Sequence, residues 1–139
     1  MKLTNIEMSN HLKSLRSIST KVRGKLGYAV ARNIRKISNE LIEFENLRLE
    51  HIRKYGTENE NGECVIKKNT EEYHKFLTDM QEYATIAHDV DIYNVDADIV
   101  MNSDLTADEM IKIEFMMYVV DGMIMDLMKY ILFIHIFIL

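Results

Sequence analysis

The chain has 139 residues, 47% of them hydrophobic and 28% charged, so it is long enough to bury a core and too apolar to be intrinsically disordered. Its net charge of −5 conceals a division: residues 1–36 hold nine of the 17 basic residues and one acid, a balance of +8 against −13 for residues 37–139. Such an asymmetry predicts an anionic partner for the N-terminal part.

Helical periodicity dominates the first half of the chain. Residues 2–7 alternate and predict a short strand, after which apolar side chains recur at spacings of three and four. These are Met8, Leu12, Leu15, Ile18, Val22, Leu26, Val30, Ile34, Ile37, Leu41, Phe44, Ile52 and Tyr55. The chain has no proline to interrupt them, and Gly56 suits the end of a helix. We expect one long helix over about 20–55, which Gly24 and Gly27 either divide or weaken.

Shorter elements follow. The polar run 57–63 predicts a turn, and CVIK (64–67) a brief strand. Thr70, followed by two glutamates, is typical of a helix start. Residues 86–95 alternate as a strand would, and ADIVM (97–101) is interpreted as a second strand.

The C-terminal part predicts a hydrophobic helix within 105–139, opened by Thr106 and Glu109 at capping-box spacing. The apolar arc of this helix is wider than one small domain usually buries on one side, which favours a homo-oligomer, most simply a two-fold dimer. A misread or accidental tail at the terminus is the competing explanation. The predicted interface comprises Phe115, Met116, Val119, Val120, Met123 and Leu127. The charges of Asp121, Asp126 and Lys129 disfavour a membrane span, while a peripheral membrane tail stays open as an alternative.

Together these elements predict an α+β, helix-dominated fold: a long N-terminal helix, a small antiparallel sheet and a hydrophobic C-terminal helix. We expect one domain over 1–139. It would consist of a basic helical part (1–56), a small sheet with a helix (57–104) and the apolar helix (105–139).

A basic stripe is the strongest candidate for a binding site. On a helix, the face opposite the apolar residues carries Lys21, Lys25, Tyr28, Arg32, Arg35 and Lys36. Arginine binds phosphate oxygens in pairs, and a tyrosine ring can stack on a base, so these residue types favour an anionic ligand such as a nucleotide. An ordinary solvated helix face, or a surface that docks acidic protein, accounts for the same pattern.

Catalytic and metal chemistry has little support in the sequence. The five histidines form no HxxxH or HExxH pair, and Cys64, the single cysteine, has no evident histidine partner. The aspartates between Asp89 and Asp104 lack the glycine and glutamate of a calcium loop, although a metal-assisted nuclease built on them stays an open hypothesis. We predict no catalytic residue, no metal and no cofactor. A negative net charge and the lack of a helix-turn-helix, zinc-finger or RNP pattern argue against sequence-specific DNA binding.

The order of several motifs resembles a group of small phage and prophage proteins. The motifs are YAVARNIRKISNELIEFENLR (28–48), KYG (54–56), Asn61-Gly62, HDVDIY (88–93) and LTADEM (105–110). The resemblance covers residues 1 to about 117, and the hydrophobic extension after Met117 departs from it. It implies a viral setting, where small non-enzymatic proteins assist virion assembly or block host defences.

Two functional hypotheses follow. The first is a non-catalytic phage-type accessory protein that binds an anionic partner, acting as a host-defence inhibitor that sequesters a nucleotide signal or masks a host protein. The second is an assembly chaperone or structural phage protein that acts by protein–protein contacts. The lone cysteine and the lack of an apolar signal segment predict a location in the cytoplasm of an infected or lysogenic cell.

Overall fold

A computed structural model describes residues 1–118 of the chain, and the fold is α+β and helix-dominated. The helices in this range are α1 (Asn5–Ile18), α2 (Gly24–Glu40), α3 (Ile42–Tyr55), α4 (Glu71–Ala84), α5 (Ala97–Met101) and α6 (Ala107–Lys112), with a 3-10 turn at Glu114–Met116. The strands in this range are β1 (Lys2–Thr4), β2 (Thr57–Glu58), β3 (Cys64–Val65), β4 (Ala87–Asp89), β5 (Val95–Asp96) and β6 (Met117–Tyr118). Up to residue 118, no helix combines the length and the apolar character needed to cross a bilayer.

The chain divides into two compact units. The first comprises Met1–Asn10 and Lys36–Asp91, and the second comprises His11–Arg35 and Ile92–Leu139, of which the structure describes the part up to Tyr118. Helices α1 and α2 each contribute residues to both units. The single domain expected over 1–139 stays a prediction.

The first unit is built on the packing of α3 against α4 and on the antiparallel pairing of β1 with β4. Lys2 pairs with Asp89 in this ladder, and the Val90 N–H donates to the Met1 carbonyl at 2.8 Å, which extends the ladder by one residue. The buried apolar side chains of this unit are Leu3, Met8, Ile37, Leu41, Phe44, Met80 and Val90.

A small hairpin completes the first unit. The turn predicted at 57–63 is confirmed only from residue 59 to residue 63, because Thr57–Glu58 form β2. Strands β2 and β3 pair antiparallel, and the side-chain oxygen of Asn59 accepts the N–H groups of Asn61 and Glu63, both at 2.9 Å. Gly62 has φ +76°, a conformation that glycine adopts without steric cost. Gly56 follows the end of α3 at a position with no room for a side chain, because a Cβ there would lie 2.5 Å from the Ile52 carbonyl oxygen.

The second unit has its own core, with Leu15, Ile18, Ile113 and Met116 fully buried. Other buried apolar side chains are Leu12, Leu26, Ala29, Val30, Ile92, Val95, Ala97, Val100 and Leu105. Strands β5 and β6 form a short parallel ladder, in which Val95 pairs with Met117 and Asp96 with Tyr118.

The segment predicted as one helix over 20–55 is helical from Gly24 to Tyr55 except at Leu41. Hydrogen bonds of the i to i−4 type still run through that residue, from the Leu41 N–H to Ile37 and from the Glu45 N–H to Leu41. At the N-terminal end, α1 stops at Ile18 and a turn precedes Gly24, whose φ is +61°. Of the two glycines considered, Gly24 therefore marks the start of α2 and Gly27 lies within it.

Two predicted strands are corrected. Of residues 86–95, only 87–89 and the final Val95 lie in strands, and residues 90–94 have no regular structure. The second predicted strand, 97–101, is the helix α5. The Asp96 carboxylate accepts the Asp98 N–H at 3.0 Å and caps this helix, a local bond that alternation of apolar residues does not reveal.

The C-terminal helix begins as predicted but is short. Thr106 and Glu109 form a complete capping box. The helix then ends at Lys112, and residues 114–118 form the 3-10 turn and β6, so the long helix expected across them is wrong up to Tyr118. The helical periodicity of the sequence does not decide the structure here, because β6 pairs with β5 and the side chains of Ile113 and Met116 are fully buried. The rest of the predicted helix lies outside the described residues.

Candidate functional site

A cavity of about 440 Å³ in the second unit adjoins the first turns of α2. Three tyrosines, Tyr28, Tyr93 and Tyr118, line it and are 56%, 40% and 48% exposed, so their rings remain available to a ligand. The other lining residues are Gly24, Lys25, Asn94, Val95, Asp96 and Ile99. Aromatic walls with a few polar groups are typical of small-molecule sites, and this volume lies in their usual range.

The guanidinium group of Arg32 lies over two of these tyrosine rings. Its guanidinium carbon lies 5.5 Å from the Tyr93 ring centroid and 6.0 Å from that of Tyr28. Its Nη1 also donates to the Tyr28 hydroxyl at 3.0 Å, and the two rings meet edge to face with centroids 5.5 Å apart. A guanidinium over two rings adds positive charge and restrains their orientation.

Asn33 holds the backbone of Tyr93 from inside α2. Its Nδ2 donates to the Tyr93 carbonyl at 2.9 Å, and its Oδ1 accepts the Tyr93 N–H at 2.7 Å. Asn33 is 0% exposed, and its Nδ2 also lies 3.6 Å from the sulfur of Met116. Residues 90–94 have no regular structure, so this pair of hydrogen bonds replaces the ladder that would otherwise fix Tyr93.

The charges at the cavity are mixed. The exposed Lys25 lies in the first turn of α2, which has no acidic residue to neutralise the positive end of the helix dipole. Asp96 contributes a carboxylate, one oxygen of which caps α5. The cavity therefore offers a cation for an anionic group and an acceptor for the N–H or O–H of a ligand.

A second cavity of about 680 Å³ lies in the same unit and shares Ile99 with the first. Its wall is mostly polar and comprises Thr20, Lys21, Val22, Arg23, Leu26, Ile99, Asn102, Ser103 and Asp104. Lys21 donates to Glu109, and this hydrogen bond, followed by that from the Thr106 backbone, holds the pKa of the Glu109 carboxyl below its usual range.

The structure divides the predicted basic stripe. Lys25 and Tyr28 line the first cavity, and Arg32 lies behind its lining, in contact with the rings of Tyr28 and Tyr93. Lys21 precedes α2 and lines the second cavity. Arg35 is exposed on α2 and is not among the residues that line either cavity. Lys36 belongs to the first unit, where its Nζ donates to the Asp91 carboxylate at 2.9 Å and to the Asp91 carbonyl at 2.5 Å.

Two of the predicted oligomer-interface residues lie in the described range. Phe115 is half-buried and stacks on His11 with ring centroids 3.8 Å apart, and Met116 is 0% exposed. Both thus contact their own unit. Val119, Val120, Met123 and Leu127 lie outside the described residues, and the dimer stays a prediction.

Sequence reasoning missed Tyr93, Tyr118 and Asn33. Both tyrosines are far from Tyr28 along the chain, and no spacing rule connects them. Asn33 did carry a signal: it stands near Val30 and Ile37, where a polar side chain in an apolar stripe must find hydrogen-bond partners.

A separate polar cluster lies in the first unit between α3 and α4. The Tyr55 hydroxyl donates to Asp79 at 2.6 Å, and Lys54 and His51 lie 3.6 and 3.7 Å from the same carboxylate oxygen. The tyrosine hydrogen bond is the main reason that the pKa of Asp79 is lowered. His51 Nδ1 is 2.8 Å from the Leu47 carbonyl, which only accepts, so that nitrogen carries a proton and Nε2 faces Asp79. The cluster ties the two helices together.

Among residues 1–118, no three histidine, cysteine or acidic side chains are grouped so that they could hold a metal ion. No family model matches the chain, and neither a curated protein nor a solved structure matches it significantly.

Proposed function

We propose that this protein is a non-catalytic binder of a small anionic molecule with an aromatic ring, a nucleotide, at the cavity of Tyr28, Tyr93 and Tyr118. In the phage setting implied by the sequence resemblance, such binding sequesters a nucleotide signal and inhibits a host defence. The observation that carries the proposal is the placement of Arg32 over two tyrosine rings of a cavity that also holds Lys25.

The combination of rings and cations selects this ligand class. A tyrosine face stacks on any nucleobase, an interaction worth about 1–3 kcal/mol per base. Lys25 supplies a point charge for a phosphate, and Arg32 keeps the rings beside that charge. A neutral apolar ligand would make no use of the Lys25 cation or the Asp96 carboxylate.

The described lining residues favour binding over catalysis. Asp96, the carboxylate among them, already accepts the N–H of Asp98. Lys25 and the tyrosines offer a cation and aromatic faces, groups that bind and orient an anionic aromatic ligand.

The test is isothermal titration calorimetry with the four ribonucleoside 5′-monophosphates, the matching uncharged nucleosides and inorganic phosphate. The monophosphates should bind, and both the nucleosides and phosphate should bind more weakly, because each lacks one of the two recognised groups. Lys25→Ala and Arg32→Ala should each weaken monophosphate binding by about tenfold or more.

Arg35→Ala is the matched control, since it removes the same charge from an exposed position of the same helix. It should leave the affinity within about twofold, because Arg35 lines neither cavity and its exposed charge is screened by salt. Equal losses for Arg32→Ala and Arg35→Ala would contradict the cavity and indicate a diffuse cationic face. Lack of binding by every monophosphate would remove the nucleotide proposal and leave action through protein–protein contacts as the alternative.

A further inference from the structure

The second cavity has no role in the site described above, although it borders that site. The two cavities share Ile99, and both take lining residues from the short stretch between Thr20 and Tyr28. The stretch alternates between them: Gly24, Lys25 and Tyr28 line the first cavity, whereas 20–23 and Leu26 line the second. They are neighbouring compartments within one unit.

We propose that the ligand is a dinucleotide, with one nucleoside ring against the tyrosines of the first cavity and the second nucleotide unit in the cavity of Arg23, Ser103 and Asp104. This inference rests on the proposed function. At about 680 Å³, the second compartment is larger than the first, at about 440 Å³, so it accommodates a unit at least as large as the one that the tyrosines receive.

The chemistry of the second wall distinguishes a nucleotide unit from a bare polyphosphate. Arg23 can donate to phosphate oxygens, as can Lys21 with the hydrogens that its bond to Glu109 leaves, whereas Asp104 only accepts hydrogen bonds while ionised. A triphosphate tail offers acceptors alone and is repelled by that carboxylate. A sugar and a base bring hydroxyl and amino groups that donate hydrogen bonds. The side-chain oxygens of Asp104, Asn102 and Ser103 can accept these bonds.

The two cavities also differ in the interactions that their lining residues offer a ligand. The described residues that line the second cavity include no aromatic side chain, so the stacking surfaces belong to the first. Val22, Leu26 and Ile99 supply an apolar strip along the second wall, against which a ring or the carbon face of a sugar can pack.

The experiment compares affinities of the intact protein for 5′-phosphorylated ribodinucleotides in all base combinations, for the monophosphates and for the triphosphates. The best dinucleotide should bind at least tenfold more tightly than the best monophosphate and than any triphosphate. Arg23→Ala should reduce dinucleotide affinity about tenfold while leaving monophosphate affinity unchanged. Arg16→Ala, at an exposed position of α1 in the same unit, is the matched control and should change neither affinity.

Each other outcome is decisive. Monophosphates that bind as tightly as dinucleotides would overturn the two-compartment ligand and leave the proposed function intact. Triphosphates that match the dinucleotides would show that the second cavity recognises phosphate charge alone, which also overturns the inference. If no monophosphate binds, the proposed function itself fails, and the inference that rests on it fails with it.

Discussion

Asn33 is the most deeply buried polar residue that the structure places near the tyrosine cavity. Its side chain is fully buried, and both its donor and its acceptor engage the backbone of Tyr93. A buried amide that satisfies two backbone groups specifies one conformation, because any other leaves polar groups without partners. Asn33 is therefore a positioning residue for Tyr93.

Replacing Asn33 should cost stability. In Asn33→Ala the Tyr93 N–H and carbonyl lose their partner, and we expect the free energy of unfolding to fall by about 1–3 kcal/mol. Urea denaturation measures the change. Asn39→Ala, at an exposed position of the same helix, is the control and should stay within about 0.5 kcal/mol of the unmodified protein. A similar small change for Asn33→Ala would show that the Tyr93 backbone does not depend on it.

Asp79 gives the first unit a predictable acid dependence. The hydrogen bond from Tyr55 lowers the pKa of the carboxyl in the folded protein, so folding favours the ionised form. Its contribution to stability is present above the unfolded-state pKa of about 3.9 and is lost as the pH falls through the lower folded-state pKa. Tyr55→Phe removes the main cause of the shift.

The measurement is the urea midpoint as a function of pH for the unmodified protein and for Tyr55→Phe. Stability of the variant should fall less between about pH 5 and pH 2 than that of the unmodified protein, because Asp79 is then closer to its ordinary pKa. Glu71 and Glu109 also have lowered pKa values but remain in both proteins, so the difference isolates Asp79. Parallel pH curves would contradict the role assigned to this hydrogen bond.

At the scale of elements, the sequence predicts two helix starts that depend on local caps, but it does not predict a very short helix or a helix end that depends on tertiary contacts. The helix starts at Thr70 and Thr106 could be predicted, because a capping hydroxyl and its N–H partner lie three residues apart. α5 was mistaken for a strand, because five residues are too few to separate periods of 2 and 3.6. The end of α6 could not be predicted, since pairing between β5 and β6 joins segments about twenty residues apart.

The turn between α1 and α2 depends on Gly24. Its φ of +61° is left-handed, and a Cβ there would meet no atom within 4 Å, so backbone strain rather than crowding opposes a side chain. We expect Gly24→Ala to lower the free energy of unfolding by about 1–2 kcal/mol. Gly24→Asn should lose less, because asparagine tolerates this region better. Equal losses for the two variants, measured by thermal or urea unfolding, would argue that the left-handed conformation is not the cause.

For the whole molecule, the uneven charge of the sequence points to the helix that borders the first cavity but not to the other residues that line it. Lys25, Tyr28 and Arg32 could be selected from one helical face, and they do lie together. Tyr93 and Tyr118 could not be selected in this way. Tyr93 is held at the cavity by hydrogen bonds between its backbone and the Asn33 side chain, and Tyr118 by the β5–β6 ladder. The pairings of Lys21 with Glu109 and of Lys36 with Asp91 also escaped prediction, since each joins residues more than fifty positions apart.

The central claim is that a nucleotide binds against the tyrosines of the second unit, and ring resonances report this directly. The protein would be prepared with ¹³C-labelled tyrosine rings, with resonances assigned by single Tyr→Phe substitutions, and titrated with each ribonucleoside 5′-monophosphate in turn. We predict saturable shifts of Tyr28, Tyr93 and Tyr118, with Tyr55, Tyr73 and Tyr83 of the first unit unchanged. Titration without shifts at the first three rings, or with shifts only at those of the first unit, would contradict the account.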